Sequence, residues 1–425
     1  MDLNSTPGAL RTHISFFGIR NAGKSSLVNA ITNQNVSIVS NTKGTTTDPV
    51  RKSMEIHPLG PVVIIDTPGI DDEGHLGEMR VKKTKDILKE TDVAILVVDF
   101  TTGITALDQE LINIFVEKKL PYIIAYNKAD LCEKSCNNVG VSTNKTKSQA
   151  LSTLQQNDCS TSLKNEIFVS AKNNTNIYEL KEMIGHIIKN DSSVERTLLE
   201  GLIEPNDIVV LVIPIDSSAP KGRLILPQQQ VLRDALDEHA IPLCCQVNEL
   251  PHLLASLNKA PKLVITDSQA FKEVDKLTPS DISLTSFSIL MARFKGNLKE
   301  LIHGAKKLEE LNNGDTILIS EGCTHHRQCN DIGTVKMPNW INSFTQKQLT
   351  YEFTSGKEFP DNLSKYSLIV HCGGCMLNSK EMLSRIETAK KEGVPIVNYG
   401  IAIAHMHGIL ARSIDIFPIY KKILY

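Results

Sequence analysis

Apolar and polar positions alternate in blocks over residues 12–190, and the blocks predict strands and helices in turn. Five runs are apolar on both faces, as the central strands of a parallel sheet are: HISFFGI, VVIID, DVAILVVD, LPYIIAYN and EIFVS. Helical patterns follow most of these runs, as a doubly wound sheet requires. The first part of the chain is therefore expected to be an α/β domain with a doubly wound sheet.

A second alternation starts after about residue 195 and predicts two smaller α/β domains. The strand patterns DIVVLVIPI, IPLCCQV and KLVIT accompany a helical stretch over 228–240. Helices near 286–311 precede the strand patterns DTILIS, YSLIVH and VPIVN. Residues 133–165 are polar and are interpreted as an exposed insertion whose role stays open. The predicted domains are 1–192, 193–275 and 276–425.

Composition narrows the class of protein. The 425 residues are 41% apolar and 22% charged with a net charge of −2, which argues against a protein that lives on nucleic acid. No apolar run reaches the roughly eighteen residues of a membrane span. The N-terminal residues lack the pattern of a signal peptide. Nine scattered cysteines then favour free thiols or metal ligands in a reducing cytoplasm.

A phosphate-binding loop is predicted between the first strand and the first helix. The segment GIRNAGKS fits GxxxxGK[ST] and lies between HISFF and KSSLVNAIT. Backbone N–H groups of such a loop surround the β-phosphate of a nucleotide. Lys24 is expected to reach the β- and γ-phosphates, and the Ser25 hydroxyl to ligate Mg²⁺. The nucleotide-binding residues of this segment are Asn21, Ala22, Gly23, Lys24, Ser25 and Ser26.

Three more motifs stand at the carboxyl ends of predicted strands, and the four together predict a GTPase. Asp66 of DTPG can hold the hydration shell of Mg²⁺, and the Gly69 N–H can sense the γ-phosphate. Asp130 of NKAD can accept from guanine N1–H and the 2-amino group together, which adenine cannot offer. The other residues expected around the base are Asn127, Lys128, Ser170, Ala171 and Lys172.

These motifs resemble the GTPases of the Era, Der and TrmE kind, which have the Ras-like doubly wound P-loop fold. Asn21 and the downstream segment GTTTD look like the arrangement in which a bound K⁺ contacts the phosphates. The resemblance implies K⁺-stimulated hydrolysis of GTP to GDP and phosphate. It implies Thr46 as the third Mg²⁺ ligand, with Thr45 and Thr47 as rivals.

The catalytic residues implied by this resemblance do not include the glutamine of Ras-type enzymes. Ile70 stands where Ras-type enzymes place a Gln that orients the attacking water. An apolar side chain cannot do this, so hydrolysis should be slow unless a cation or a partner supplies charge. The catalytic residues are expected to be Lys24, Thr46, Asp66 and Gly69.

Two clusters of cysteine and histidine in the last third of the chain predict a metal site. IVHCGGCML carries His371, Cys372 and Cys375, and EGCTHH carries Cys323 and His325. If DTILIS and YSLIVH are parallel neighbours, both clusters emerge at one sheet edge and the three thiols converge. Three thiolates with an open fourth position suit a [4Fe–4S] cluster. Two thiolates and two imidazoles suit zinc equally well.

A GTPase closed by Cys-x-His and His-Cys-x-x-Cys resembles the HydF family, the maturation GTPases of [FeFe]-hydrogenase, over the whole chain. The segments PKGRLILPQ and LTSFS also resemble that family. The resemblance implies a [4Fe–4S] cluster on Cys323, Cys372 and Cys375 with an exchangeable fourth ligand. His325 is the first candidate for that position and His371 the second.

The same resemblance implies partners and a task. The family holds a diiron precursor with CO and cyanide ligands, which is assembled with the radical-SAM proteins HydE and HydG. It delivers this unit to the apo-hydrogenase HydA. The middle domain would mediate homodimerisation, and neither nucleic acid nor membrane is expected as a partner.

Two alternatives stay open at this point. One is a zinc-stabilised GTPase of the Era and TrmE type that acts in RNA modification or ribosome assembly. It would need a basic patch or a KH-like tail, and the C-terminal half shows neither. The other is an Fe–S redox protein with a vestigial GTPase, against which the intact GTPase motifs argue.

Overall fold

The computed structural model describes residues 6–34, 49–69, 84, 86–131, 165–190, 197–215, 224–322 and 331–420. The chain divides into two compact units, residues 1–194 and 195–425. The strands are β1 Thr12–Phe17, β2 Val50–Ile56, β3 Gly60–Asp66, β4 Val93–Asp99, β5 Tyr122–Asn127, β6 Glu166–Phe168, β7 Ile208–Val212, β8 Ile241–Cys245, β9 Leu263–Thr266, β10 Ser283–Ser286, β11 Thr316–Glu321, β12 Thr350–Ser355, β13 Leu368–His371 and β14 Ile396–Asn398. The α-helices with described bounds are α1 Lys24–Thr32, α2 Ala106–Glu117, α3 Ile177–Asn190, α4 Leu226–Asp237, α5 Leu250–Ser256, α6 Phe271–Leu277, α7 Phe287–Lys295, α8 Leu298–Lys306, α9 Met337–Thr345, α10 Ser379–Lys391, α11 Tyr399–Met406 and α12 Leu410–Ile414.

The first unit contains a six-stranded sheet in the order β2-β3-β1-β4-β5-β6. Its strands are parallel except β2, which runs antiparallel to β3 at one edge. Central strands are apolar on both faces because each face packs against helices. Phe16 and Ile95 lie in one core with α1 and α3, and Phe17 and Leu96 lie in the other with α2. The predicted doubly wound α/β fold is confirmed.

The second unit contains two four-stranded parallel sheets, in the orders β10-β9-β7-β8 and β12-β11-β13-β14. One continuous apolar core includes residues of both sheets, such as Leu211 and Val370. The further α/β sheets expected after the first domain are thus present. The first of them extends past residue 275, the predicted end of the middle domain, because β10 pairs with β9.

Helix α7 joins the two sheets of the second unit. Its N-cap is Ser286, the last residue of β10, whose side-chain oxygen accepts from the N–H of Ile289. The helix is buried along most of its length, and its last residue, Lys295, is buried as well. No helix in the described ranges combines the length and the apolar character that a membrane crossing needs.

Candidate functional site

The loop between β1 and α1 has a backbone suited to binding phosphate. Gly18 and Gly23 have φ angles of +138° and +91°, and Asn21 has φ of +60°. A Cβ atom on Gly18 would collide with the carbonyl oxygen of Val97, and one on Gly23 would collide with the amide of Asn127. Glycine is therefore required at both positions, because it alone adopts these angles without a side chain in the way.

The predicted phosphate and Mg²⁺ residues lie together at the carboxyl edge of the sheet. Lys24 is buried, and its Nζ donates to the carbonyl oxygens of Gly18 (2.9 Å) and Ile19 (2.8 Å) at the start of the loop. The hydroxyl of Ser25 donates to Oδ2 of Asp66 at 2.5 Å. Since β1 and β3 are parallel neighbours, α1 and the end of β3 present these two side chains to each other.

The segment after β3 also approaches the phosphate loop. A Cβ atom on Gly69 would lie 2.9 Å from Cα of Arg20, so the DTPG backbone and the loop are in close contact. This is the position from which a Gly69 N–H could meet a γ-phosphate. Four residues considered for catalysis or Mg²⁺ binding lie outside the described residues, namely Thr45, Thr46, Thr47 and Ile70.

The base-recognition residues are connected by hydrogen bonds between distant motifs. Asn127 is buried, and its Nδ2 donates to the carbonyl oxygen of Ala22 (3.0 Å) while its Oδ1 accepts from the N–H of Ala171 (3.1 Å). The hydroxyl of Ser170 donates to Oδ1 of Asp130 at 2.7 Å. Asn127 thus ties the phosphate loop to the segment after β6, and Ser170 orients the carboxylate that faces guanine in related motifs.

Lys128 has a partner that the motifs did not predict. Its Nζ lies 2.6 Å from Oδ2 of Asp99, the last residue of β4. Partial burial would raise the pKa of Asp99, but hydrogen bonds from Lys128 and Thr101 outweigh it and the pKa is lowered. The sequence signal that could have predicted this partner is Asp99 itself, an acidic residue at the end of the apolar strand β4. Of the remaining predicted residues, Ser26 is half-buried and Lys172 is exposed.

The two halves of the predicted metal site approach each other where β11 and β13 end. These strands are parallel neighbours with Ser320 opposite His371, which is the arrangement that convergence of the two clusters requires. The N–H of Gly322 donates to Sγ of Cys372 at 3.0 Å, and the N–H of Gly374 donates to the same sulfur at 3.3 Å. Gly322, the residue before Cys323, therefore contacts the sulfur of Cys372.

The surroundings of Cys372 fit a thiolate that binds a metal or a cluster. Two N–H groups that donate to one sulfur favour its anionic form and are among the features that tune Fe–S ligands. Burial raises the pKa of the Cys375 thiol, and the neighbouring Cys372 adds to the rise. Within the described ranges, no group of three His, Cys, Asp or Glu side chains could hold a metal. Cys323 and His325 lie outside those ranges.

His371 belongs to a buried hydrogen-bond network. Its Nδ1 lies 2.8 Å from the carbonyl oxygen of Cys372, and its Nε2 lies 3.0 Å from Nη1 of Arg385. Because arginine only donates, Nε2 accepts and Nδ1 carries the proton. No lone pair is left for a metal, so the suggestion that His371 is the fourth cluster ligand is not supported. Arg385 also bonds Glu381 (3.0 Å). The i,i+4 spacing of this pair on α10 was the signal available in the sequence.

Three family models match successive parts of the chain. Residues 13–128 match the model described as 50S ribosome-binding GTPase. Residues 198–296 match the hydrogen maturase F dimerization domain, and residues 299–416 match the hydrogen maturase F tetramerization domain. Residues 13–128 are therefore a GTPase domain, and the phosphate loop, Asp66 and Asn127 lie within it.

Curated relatives and solved structures show further similarities. GTPase Der of Mycoplasmopsis pulmonis is 38% identical over 128 residues, which are 29% of each chain. The tRNA modification GTPase MnmE of Desulforamulus reducens is 36% identical over 115 residues, 27% of this chain and 24% of its own. The chain spans 24–44% of the length of such relatives.

Among solved structures, that of a probable GTP-binding protein, EngB, is 26% identical to this chain. The match covers 42% of this chain and 99% of the EngB chain, with a TM-score of 0.31. That of Aquifex aeolicus Era is 18% identical and covers 81% and 92% (TM-score 0.33).

Proposed function

Because the chain belongs to the hydrogen maturase F family, we propose that it joins GTP hydrolysis to an iron–sulfur scaffold in the maturation of [FeFe]-hydrogenase. It holds a diiron precursor assembled with HydE and HydG and delivers it to apo-hydrogenase HydA. One observation carries the proposal. The pairing of β11 with β13 brings Gly322, the neighbour of Cys323, to 3.0 Å from the sulfur of Cys372.

In the GTPase domain, each residue has a role that its position allows. Lys24 leaves the carbonyl oxygens of the loop and binds the β- and γ-phosphates of GTP. Ser25 and Asp66, with Thr46, would hold Mg²⁺, which supplies positive charge to the phosphates. The Gly69 N–H would contact the γ-phosphate.

Hydrolysis is expected to be slow and stimulated by K⁺. Ile70 offers no group to orient water, so we expect a rate below about 1 s⁻¹, slower than typical enzymes. Asn21, exposed at φ +60° in the phosphate loop, would help hold a K⁺ against the phosphates. Phosphate release should be faster in K⁺ than in Na⁺ at equal ionic strength. Equal hydrolysis rates in the two salts would refute the role of K⁺ but not the proposal that the domain hydrolyses GTP.

In the C-terminal part, Cys323, Cys372 and Cys375 would hold a [4Fe–4S] cluster. Such a cluster supplies an iron whose fourth ligand can exchange, which suits a carrier that must load and unload. His325 is the candidate for that fourth position. The N–H of Gly322 stabilises the thiolate of Cys372. Free thiols require a reducing compartment, so we place the protein in the cytoplasm.

The test of the cluster is anaerobic reconstitution of single variants. Cys372→Ala and Cys375→Ala should each lose most bound iron and sulfide and most of the EPR signal of the reduced protein. Cys136→Ala is the control, since Cys136 belongs to the polar insertion at 133–165 and lies far along the chain from both groups of Cys and His residues. Stoichiometric zinc in the isolated protein, with Cys variants that lose stability instead of a chromophore, would favour the zinc alternative.

Delivery is tested separately from cluster binding. The full-length protein, loaded by HydE and HydG, should activate apo-HydA, whereas Cys372→Ala and Cys375→Ala should not. The Cys136→Ala control should activate like the wild type. Activation by a variant that carries no cluster would refute the carrier role while leaving cluster binding untouched.

The middle sheet is proposed as the dimer interface. β8 lies at one edge of that sheet, and Ile241 at its start is 47% exposed. An edge strand offers unpaired N–H and C=O groups to a second copy. Ile241→Lys should therefore weaken the dimer in light scattering. Val116→Lys, at an exposed position of α2, is the control and should leave the mass unchanged.

A further inference from the structure

A buried lysine holds the loop that carries the two cysteines. Lys295 is 1% exposed, and its Nζ donates to the carbonyl oxygens of Gly374 (3.1 Å), Cys375 (3.0 Å) and Leu377 (2.7 Å). An ammonium group has three N–H donors, so all of them are used on the backbone of one short loop. The course of this loop, and with it the separation of the two thiols, depends on Lys295.

The charge of Lys295 lacks a carboxylate partner among the described residues. Residues 323–330 contain no Asp or Glu either. Burying a cation without an anion is costly. Since Nζ binds the backbone of the loop that carries Cys372 and Cys375, an anionic centre built on these two sulfurs would offset the charge of this ammonium.

Building on the proposed function, we infer that Lys295 is a positioning residue of the cluster site. Its hydrogen bonds shape the loop, and its charge raises the reduction potential of the bound cluster. A [4Fe–4S]²⁺ core with three thiolates has one net negative charge and gains a second on one-electron reduction. A cation in the weakly screened interior stabilises the more negative form more strongly. Zinc with two thiolates and two neutral imidazoles would be uncharged and would not need it.

Redox titration of the reconstituted full-length protein tests the charge. Dithionite reduces the cluster while EPR follows its signal. Lys295→Met removes the charge at similar length, Lys295→Gln also keeps an amide donor, and Lys295→Arg keeps the charge. Lys299→Met is the control, because Lys299 is an exposed lysine at the start of the neighbouring helix α8. The two neutral variants should show at least a tenfold less favourable reduction, about 59 mV for one electron. The arginine and control variants should stay near the wild-type potential.

Two further measurements interpret the outcome. GTP hydrolysis and circular dichroism show that each variant is folded. A neutral variant with full cluster content and an unchanged potential overturns the inference. If the neutral variants take up no cluster while Lys295→Arg does, the positive charge is needed at this position and the inference is supported. Cluster loss in the arginine variant too overturns the role of charge. Zinc in the wild-type protein would overturn both the proposed function and this inference. A cluster that is present in the wild type, but whose reduction potential does not change in the neutral Lys295 variants, overturns the inference alone.

Discussion

Replacing Asp130 by Asn should shift the base preference of the GTPase domain from guanine toward xanthine. Oδ1 of Asp130 accepts from the hydroxyl of Ser170 (2.7 Å), and that buried hydroxyl also accepts from the N–H of Asn173 (3.2 Å). The carboxylate is therefore held in one orientation, with acceptor capacity left for guanine N1–H and the 2-amino group. Asn at this position keeps the shape but replaces one acceptor oxygen by an N–H donor.

The size of the effect follows from the bonds that change. A hydrogen bond to a charged group contributes about 1.5–3 kcal/mol, and guanine makes two of them with the carboxylate. Asn retains one neutral bond of about 1 kcal/mol, so the loss is about 2–5 kcal/mol. With a factor of ten for each ~1.4 kcal/mol, GTP affinity should fall about 30- to 4,000-fold. Xanthine carries an oxygen in place of the 2-amino group, and the new amide donor matches it.

The assay compares dissociation constants of the guanine and xanthine nucleotides for wild type and Asp130→Asn by calorimetric titration. The control is Ser170→Ala, which removes the hydroxyl that orients Asp130 but leaves its charge. Ser170→Ala should weaken GTP binding about fivefold, which corresponds to the loss of one ordinary hydrogen bond of ~1 kcal/mol, without changing the preferred base. An Asp130→Asn protein that still prefers guanine would refute the reading of the base by this carboxylate.

Three further predictions use other contacts of the two sites. Lys24→Ala should remove most GTP turnover in a phosphate-release assay yet leave iron and sulfide content unchanged, and joint loss of both would contradict independent sites. Gly23→Ala should abolish measurable GTP binding because its Cβ collides with the Asn127 amide, whereas Gly103→Ala, also at positive φ but in open space, should bind normally. His371→Gln should keep the cluster and its EPR signal while lowering the free energy of unfolding by about 1–3 kcal/mol, because a buried network is broken; cluster loss would restore His371 as a ligand candidate.

The central strands were predictable from sequence, whereas the edge strands were predictable only in part. The patterns EIFVS, IPLCCQV and VPIVN indicated β6, β8 and β14, but β2, β10 and β12 were missed. β1, β4 and β5 are buried on both faces, so their apolar runs carry the signal directly. β2 has the sequence VRKSMEI and is mostly exposed, so its existence depends on pairing with β3 rather than on its own pattern. β12 lies at the edge of its sheet in the same way. The apolar pattern of a strand is weaker when the strand lies at a sheet edge and one of its faces is exposed to solvent.

The site residues divide along a similar line. Motif residues such as Ser25, Asp66 and Asn127 were predictable because each occupies a fixed place at the end of a strand or the start of a helix. Lys295 was missed because its partners lie 79–82 positions further along the chain. Arg385 was missed for the same reason, since its role appears only when β13 and α10 bring it to His371. Contacts between distant segments leave no periodic trace in a single sequence.

The loop around Cys372 is shaped by both sheets of the second unit. Helix α7 starts at Ser286, where β10 pairs in the middle sheet, and it ends at Lys295 on the carbonyl groups of that loop. A Cβ atom on Gly400, at the start of α11, would collide with Ser288 of α7, so α7 packs without free space against the helix that follows β14. The apolar core is continuous across both sheets. If the proposed self-association at β8 displaces the middle sheet, we expect the displacement to reach the loop of Cys372 and Cys375 through the buried helix α7.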